Sequence, residues 1–163
     1  MQPKIINKDE LFIAGLTGNG SDTGAVWSEF DRQYNANPFP KADENGYEVR
    51  FFKSRFSDKT PDANKDVHVG FLTRGGTDIN GFSTIKFPAA QYVVFDVVVA
   101  KGYDSENAAM ERWIASNAET YRVLEFRDYE YVIECYNEKF KGGNQPDSVV
   151  EIWLPVKRRN PHD

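Results

Sequence analysis

Apolar residues concentrate, in runs or in alternation with polar ones, over eight stretches of the chain: Leu11 to Leu16, Tyr47 to Phe56, Val67 to Thr73, Phe82 to Phe87, Tyr92 to Ala100, Tyr121 to Phe126, Tyr131 to Phe140 and Val149 to Val156. All are rich in β-branched and aromatic residues, and each predicts a strand. The segments between them, Asn35 to Gly46, Ser57 to Asp66, Arg74 to Gly81 and Lys141 to Asp147, carry the Gly, Pro, Asn and Asp of loops. Two stretches follow the helical period instead. From about Gly24 to Tyr34, Val26, Phe30 and Tyr34 recur four residues apart with Trp27 alongside, and Asp22 or Thr23 offers a cap. From about Ser105 to Asn117, Met110, Trp113 and Ile114 form the apolar stripe, and Ser105 offers an acceptor to the first turn.

Both halves of this pattern read strand, helix, strand, strand, without close residue identity between them. The expected fold is α+β: duplicated strand-helix-strand-strand units, an antiparallel sheet of about eight strands, two helices and a central cleft. One domain is expected over residues 1–163, with 158–163 as a tail. A chain of 163 residues with 40% apolar content closes one core without a disulfide or a metal. The lone Cys135 excludes an intramolecular disulfide and suits a cytoplasmic location.

The net charge of -5 and the single short basic cluster, Lys157 to Arg159, give no footprint for nucleic acid. No apolar run is long enough for a membrane span. The histidines, His68 in a strand and His162 near the C-terminus, do not build a zinc site with one cysteine. No cofactor is expected, because Gly75-Gly76 and Gly142-Gly143 are turn signals without the spacing of a phosphate loop. Cys135 in a strand reads as a core residue, not a nucleophile.

Several segments in order resemble one family. Phe87-Pro88-Ala89-Ala90-Gln91-Tyr92-Val93-Val94-Phe95 is similar to the strand-leading Ile-Pro-Ala-Gly-x-Tyr-x-Val-Phe element of GyrI-like effector-binding domains. Val26 to Phe30 resembles that family's first helix, His68 to Phe71 its hydrophobic-Gly-hydrophobic strand, and Glu111 to Ile114 with Tyr121 its second helix and following tyrosine. Glu134 to Phe140 resembles the Glu-x-Tyr-Asp-x-Arg-Phe element, and Val150 to Val156 the closing strand. Ala90 stands where glycine is usual, Lys139 where arginine is usual, and Val97 to Val99 where a histidine-containing turn is common. The family includes ligand-sensing halves of AraC-type and MerR-type transcription regulators, stand-alone proteins, gyrase inhibitors and a few hydrolases. No helix-turn-helix precedes or follows the domain, so a stand-alone module without direct nucleic-acid binding is expected.

In the last strand Glu151 and Trp153 fall on the side opposite Val150, Ile152, Leu154 and Val156. Taken alone, Glu151 is either a solvated glutamate or the anionic floor of an aromatic pocket. The resemblance implies the second, in which a lipophilic cation satisfies a buried carboxylate and aromatic faces add cation-π attraction. The expected ligand residues are Glu151, Trp27, Tyr47, Trp113, Tyr136 and Trp153, although a tryptophan on an amphipathic helix, as Trp27 and Trp113 are, is more often core than pocket. Two rival readings stay open: a hydrolase in which Glu151 activates water and Tyr136 assists the leaving group, and a gyrase-inhibitor-like module that binds a protein partner.

Overall fold

In the computed structural model, which describes residues 3–52 and 65–160, the expected strand stretches form antiparallel strands and the helical stretches form two helices. The elements run β1 (Lys4–Lys8), β2 (Leu11–Gly18), α1 (Thr23–Ala36), β3 (Gly46–Phe52), β4 (Val67–Thr73), β5 (Ser83–Phe87), β6 (Ala90–Val98), α2 (Asp104–Ser116), β7 (Tyr121–Val123), β8 (Glu125–Phe126), β9 (Tyr129–Tyr136) and β10 (Val149–Arg158). Residues 53–56 of the expected strand Tyr47 to Phe56, most of the loop after it, and His162 lie outside the described residues.

The sheet curls into a half-barrel with the order β1-β6-β10-β9-β3-β4-β2-β5. The strands of the first half are ordered β2-β4-β3 and those of the second β6-β10-β9, joined where β3 pairs with β9. The two strand orders correspond, but this does not show an internal duplication. Alternation then sends each strand's side chains to two faces. One face buries Ile13, Tyr47, Val49, Phe87, Tyr131 and Trp153 inside the curl. The other lies under the helices: Phe30 of α1 packs on Ala14, Val69 and Phe82, while Met110 of α2 packs on Val93, Val132 and Leu154. Both faces of the central strands are therefore buried, which leaves a polar side chain there no solvent and obliges it to find a partner.

Several expectations change. The strand β1 escapes the pattern because Lys-Ile-Ile-Asn-Lys is a short edge strand, half exposed and flanked by charge. The expected strand Tyr121 to Phe126 splits. Its first part pairs with β10, and its last two residues form a hairpin with β9 through Arg127 and Asp128, both left-handed at φ 51° and 70°. The expected strand Tyr131 to Phe140 ends at Tyr136, where Asn137 opens a turn closed by the Phe140 N–H on its carbonyl. Asp22 does cap α1, accepting the Ala25 N–H at 3.2 Å, but Ser105 sits inside α2, which has no side-chain cap. Arg158, expected in a tail, instead extends β10 beside β7, and Arg159 Nε donates to the Ala118 carbonyl at 2.7 Å.

His68 is enclosed in β4. Its Nε2–H donates to the Ile13 carbonyl at 2.9 Å, so Nδ1 is the acceptor that meets the Thr17 hydroxyl at 2.8 Å. Burial pushes the imidazole down to about 4, against a smaller pull from the Ile13 carbonyl. The unfolded chain therefore takes up this proton first. The stabilisation is whole above about pH 6.5 and drains away, by about 2 to 3 kcal/mol in all, as pH falls towards 4. In urea titrations from pH 7 to 4, His68→Gln is expected to be less stable than wild type at pH 7 and to close that gap in acid. A gap independent of pH would show that the ring is not held neutral.

Candidate functional site

Where α1 and α2 diverge over β3 and β9, a cleft of about 580 Å³ opens on the helix-covered face. That volume suits a small organic ligand. Trp27 and Thr23 line it from α1, Asn107 and Met110 from α2, with Tyr103 just ahead of α2. Its floor is polar where the strand pattern places charges inward: Glu48 and Arg50 on β3, and Glu134 on β9. Glu48 and Glu134 stand directly opposite each other in the ladder, and both are buried, 2% and 4% exposed.

These two carboxylates share one guanidinium. Arg50 Nε lies 2.9 Å from Glu48 Oε2 and 2.8 Å from Glu134 Oε2, while Trp27 Nε1–H donates to Glu48 Oε1 at 2.8 Å. Burial raises the Glu134 carboxyl well above the usual range, the neighbouring Glu48 charge adds to this, and Arg50 only partly opposes it. Burial likewise raises the Tyr136 hydroxyl, helped by the Glu134 charge, and pushes Tyr103 up to about 12. Tyr136 meets the Trp27 ring edge to face at 6.0 Å. The cleft thus joins a floor of two carboxyl groups and one guanidinium to three aromatic rings.

Of the residues expected to bind ligand, Trp27 and Tyr136 line this cleft. Glu151, Tyr47 and Trp153 face the inside of the curl instead. Glu151 is buried as the resemblance implied, and its partners are Lys139 Nζ at 2.7 Å and Trp153 Nε1 at 3.0 Å. Burial pushes its carboxyl up, but Lys139 and the Trp153 N–H outweigh that and hold it below the usual value. Lys139, where the family usually has arginine, also binds Asp96 Oδ1 at 3.0 Å. Tyr47 donates to Asp43 Oδ2 at 2.6 Å and packs against Trp153. Trp113 stacks obliquely on Tyr121 and borders a separate groove between α2 and β6. Because Cys135 pairs with Glu151 and Tyr136 is the next residue, Glu151 and Tyr136 point to opposite faces and cannot meet one substrate.

Glu48, Arg50, Tyr103 and Glu134 went unread as site residues. Their signal was charge inside strands: Gly-Tyr-Glu-Val-Arg-Phe-Phe puts Glu48, Arg50 and Phe52 on one side, and Glu134 holds the matching parity on β9. Among the described residues, no cluster of three or more His, Cys, Asp and Glu could hold a metal ion, and no helix is long and apolar enough to cross a membrane.

Solved structures share this architecture. SAV2435 bound to tetraphenylphosphonium is 14% identical, with a TM-score of 0.63 over 96% of this chain and 94% of that one. The EcmrR C-terminal domain is 13% identical, with a TM-score of 0.65 over 97% and 98% of the two chains. EcmrR in a complex with DNA, also 13% identical, gives a TM-score of 0.68 over 97% of this chain and 58% of that chain. At such identities the likeness is one of fold. No curated protein matches the sequence. The model of the GyrI-like small molecule binding domain, however, matches residues 1–157, so with its cleft of ligand size between two helices the chain belongs to the GyrI-like family.

Proposed function

We propose that this chain captures an amphipathic aromatic cation in the cleft between α1 and α2, with Glu134 and Glu48 as its anionic floor and Trp27, Tyr103 and Tyr136 as its aromatic wall. The observation that carries this reading is the pair of buried, directly opposed carboxylates facing a single guanidinium beneath three aromatic rings. Two buried carboxylates with one guanidinium are under-compensated, which favours a proton on Glu134, and a ligand that brings positive charge takes the place of that proton as it binds. Flat aromatic faces then contribute about 0.5 to 2 kcal/mol each without demanding one ligand shape. Tetraphenylphosphonium on SAV2435 is a ligand of this kind and supports the choice of probe. The central glutamate of the reading is thus Glu134, not Glu151.

Calorimetric titration with tetraphenylphosphonium and with the neutral triphenylphosphine oxide tests it. Glu134→Gln keeps shape and hydrogen-bonding capacity but removes charge, and is expected to lose about ten- to a hundredfold in affinity for the cation, with little change for the neutral compound. Glu151→Gln should bind like wild type. Loss of cation binding in Glu151→Gln but not in Glu134→Gln would move the site to the other face of the sheet.

A further inference from the structure

Arg50 returns to the floor two residues along β3 from Glu48, and its Nε–H sits between the two carboxylates. Its outer nitrogens turn away. Nη2 donates to Thr23 Oγ1 at 3.0 Å and Nη1 reaches the Gly20 carbonyl at 3.5 Å, which ties the guanidinium to the start of α1. Burial works against its charge, but Glu48 and Glu134 more than offset this. Held from both sides, Arg50 is poorly placed to swing out when a ligand enters. Its side chain is still 34% exposed, on the wall of the cleft.

Among the described residues, the charged ones lining the cleft are Glu48, Glu134 and Arg50. Burial favours a proton on Glu134 in the free protein, and once a bound cation displaces that proton, two carboxylates against one fixed guanidinium leave a place for one further positive charge. Resting on the binding site proposed above, we infer that Arg50 is a specificity-determining residue that limits the ligand to a single positive charge, so that the cleft accepts an aromatic monocation and rejects a dication of similar bulk. A second ligand charge would give up its water without gaining a counter-charge, and it would face the guanidinium across a poorly hydrated space. Such exclusion by a built-in like charge is a direct way to discriminate between ligands that share shape and aromatic surface. Without Arg50 the opposed carboxylates would offer two negative charges, enough for a dication.

The test compares tetraphenylphosphonium with the aromatic dication benzyl viologen on wild type, Arg50→Met and Arg50→Lys, each first shown to be folded by circular dichroism. Wild type is expected to favour the monocation. Arg50→Met should shift the ratio of affinities towards the dication by about tenfold or more, and Arg50→Lys, which keeps the charge, should restore the wild-type preference. If Arg50→Met fails to fold, Arg50→Gln is read in the same way. An unchanged ratio in the uncharged variant overturns the role of Arg50 while leaving the site standing, provided tetraphenylphosphonium still depends on Glu134. If wild type binds neither cation, the site itself is wrong and the role of Arg50 falls with it.

Discussion

Gly70→Ala is expected to destabilise the protein by about 3 kcal/mol or more, a large part of the roughly 5 to 15 kcal/mol that holds a domain together. The backbone here is in no left-handed conformation, so the cost is steric. A Cβ at Gly70 would lie 2.0 Å from the Ala14 carbonyl oxygen and 2.8 Å from the Gly15 Cα. The clash is reciprocal: Gly15 pairs with Gly70 across β2 and β4, and a Cβ on Gly15 would come within 1.7 Å of the Val69 oxygen. Since the obstacles are backbone atoms of paired strands, no rotamer change relieves them. Moving β4 would also disturb β3, where Val69 pairs with Glu48 and Gly70 with Tyr47. Gly75, which has nothing within 4 Å of an added Cβ, is the control, and Gly75→Ala should stay within about 0.5 kcal/mol of wild type. Urea midpoints of the three proteins decide the matter, and a Gly70→Ala variant as stable as Gly75→Ala would mean that the strands are not so close.

The hydrophobic-Gly-hydrophobic run at His68 to Phe71 was visible in the sequence, but the reason for its glycine was not, since close approach of two backbones depends on which strands pair. The same limit explains the site. Alternation correctly separated Glu151 and Trp153 from Ile152 and Leu154, but left Glu151 either solvated or buried, and only the family resemblance implied the burial that is found. It could not say which face the helices cover. In a sheet buried on both sides, the aliphatic side of β10 is the one beneath α2, and Ile152 reaches the cleft while Glu151 turns into the curl. Glu134 and Tyr136 were within a segment that resembled the family, yet only the pairing of β3 with β9 brings Glu134 against Glu48 and Arg50. Strands and helices were legible because they depend on local period. The ion cluster depends on residues 84 apart in sequence, as the Arg50–Glu134 bond shows, and single-strand alternation carries no such information.

Phe30→Ala is the second change expected to cost most, about 3 to 5 kcal/mol, and its consequences reach the cleft. Phe30 is fully buried where α1 meets the sheet, and its ring centroid lies 5.0 Å from Phe71, 5.3 Å from Phe82, 5.8 Å from Tyr34 and 5.9 Å from Trp27. Truncation removes the contacts of four neighbouring rings at once and leaves a cavity that rigid aromatic planes fill poorly. For a chain of this size the loss should lower the melting temperature by roughly 10 °C or more. Phe30→Leu, which refills much of the volume, should recover a substantial part of it. The functional consequence follows from Trp27, one turn earlier on the same helix, whose indole meets Phe30 on one side and Tyr136 on the other while its N–H holds Glu48. With Phe30 gone, the indole loses a support that helps keep it over the floor. Tetraphenylphosphonium affinity, measured well below the melting transition, should therefore fall in Phe30→Ala and recover in Phe30→Leu. If stability drops as expected while affinity stays at the wild-type value, Trp27 is held by Glu48 and Tyr136 alone, and the packing beneath α1 serves the fold without shaping the cleft.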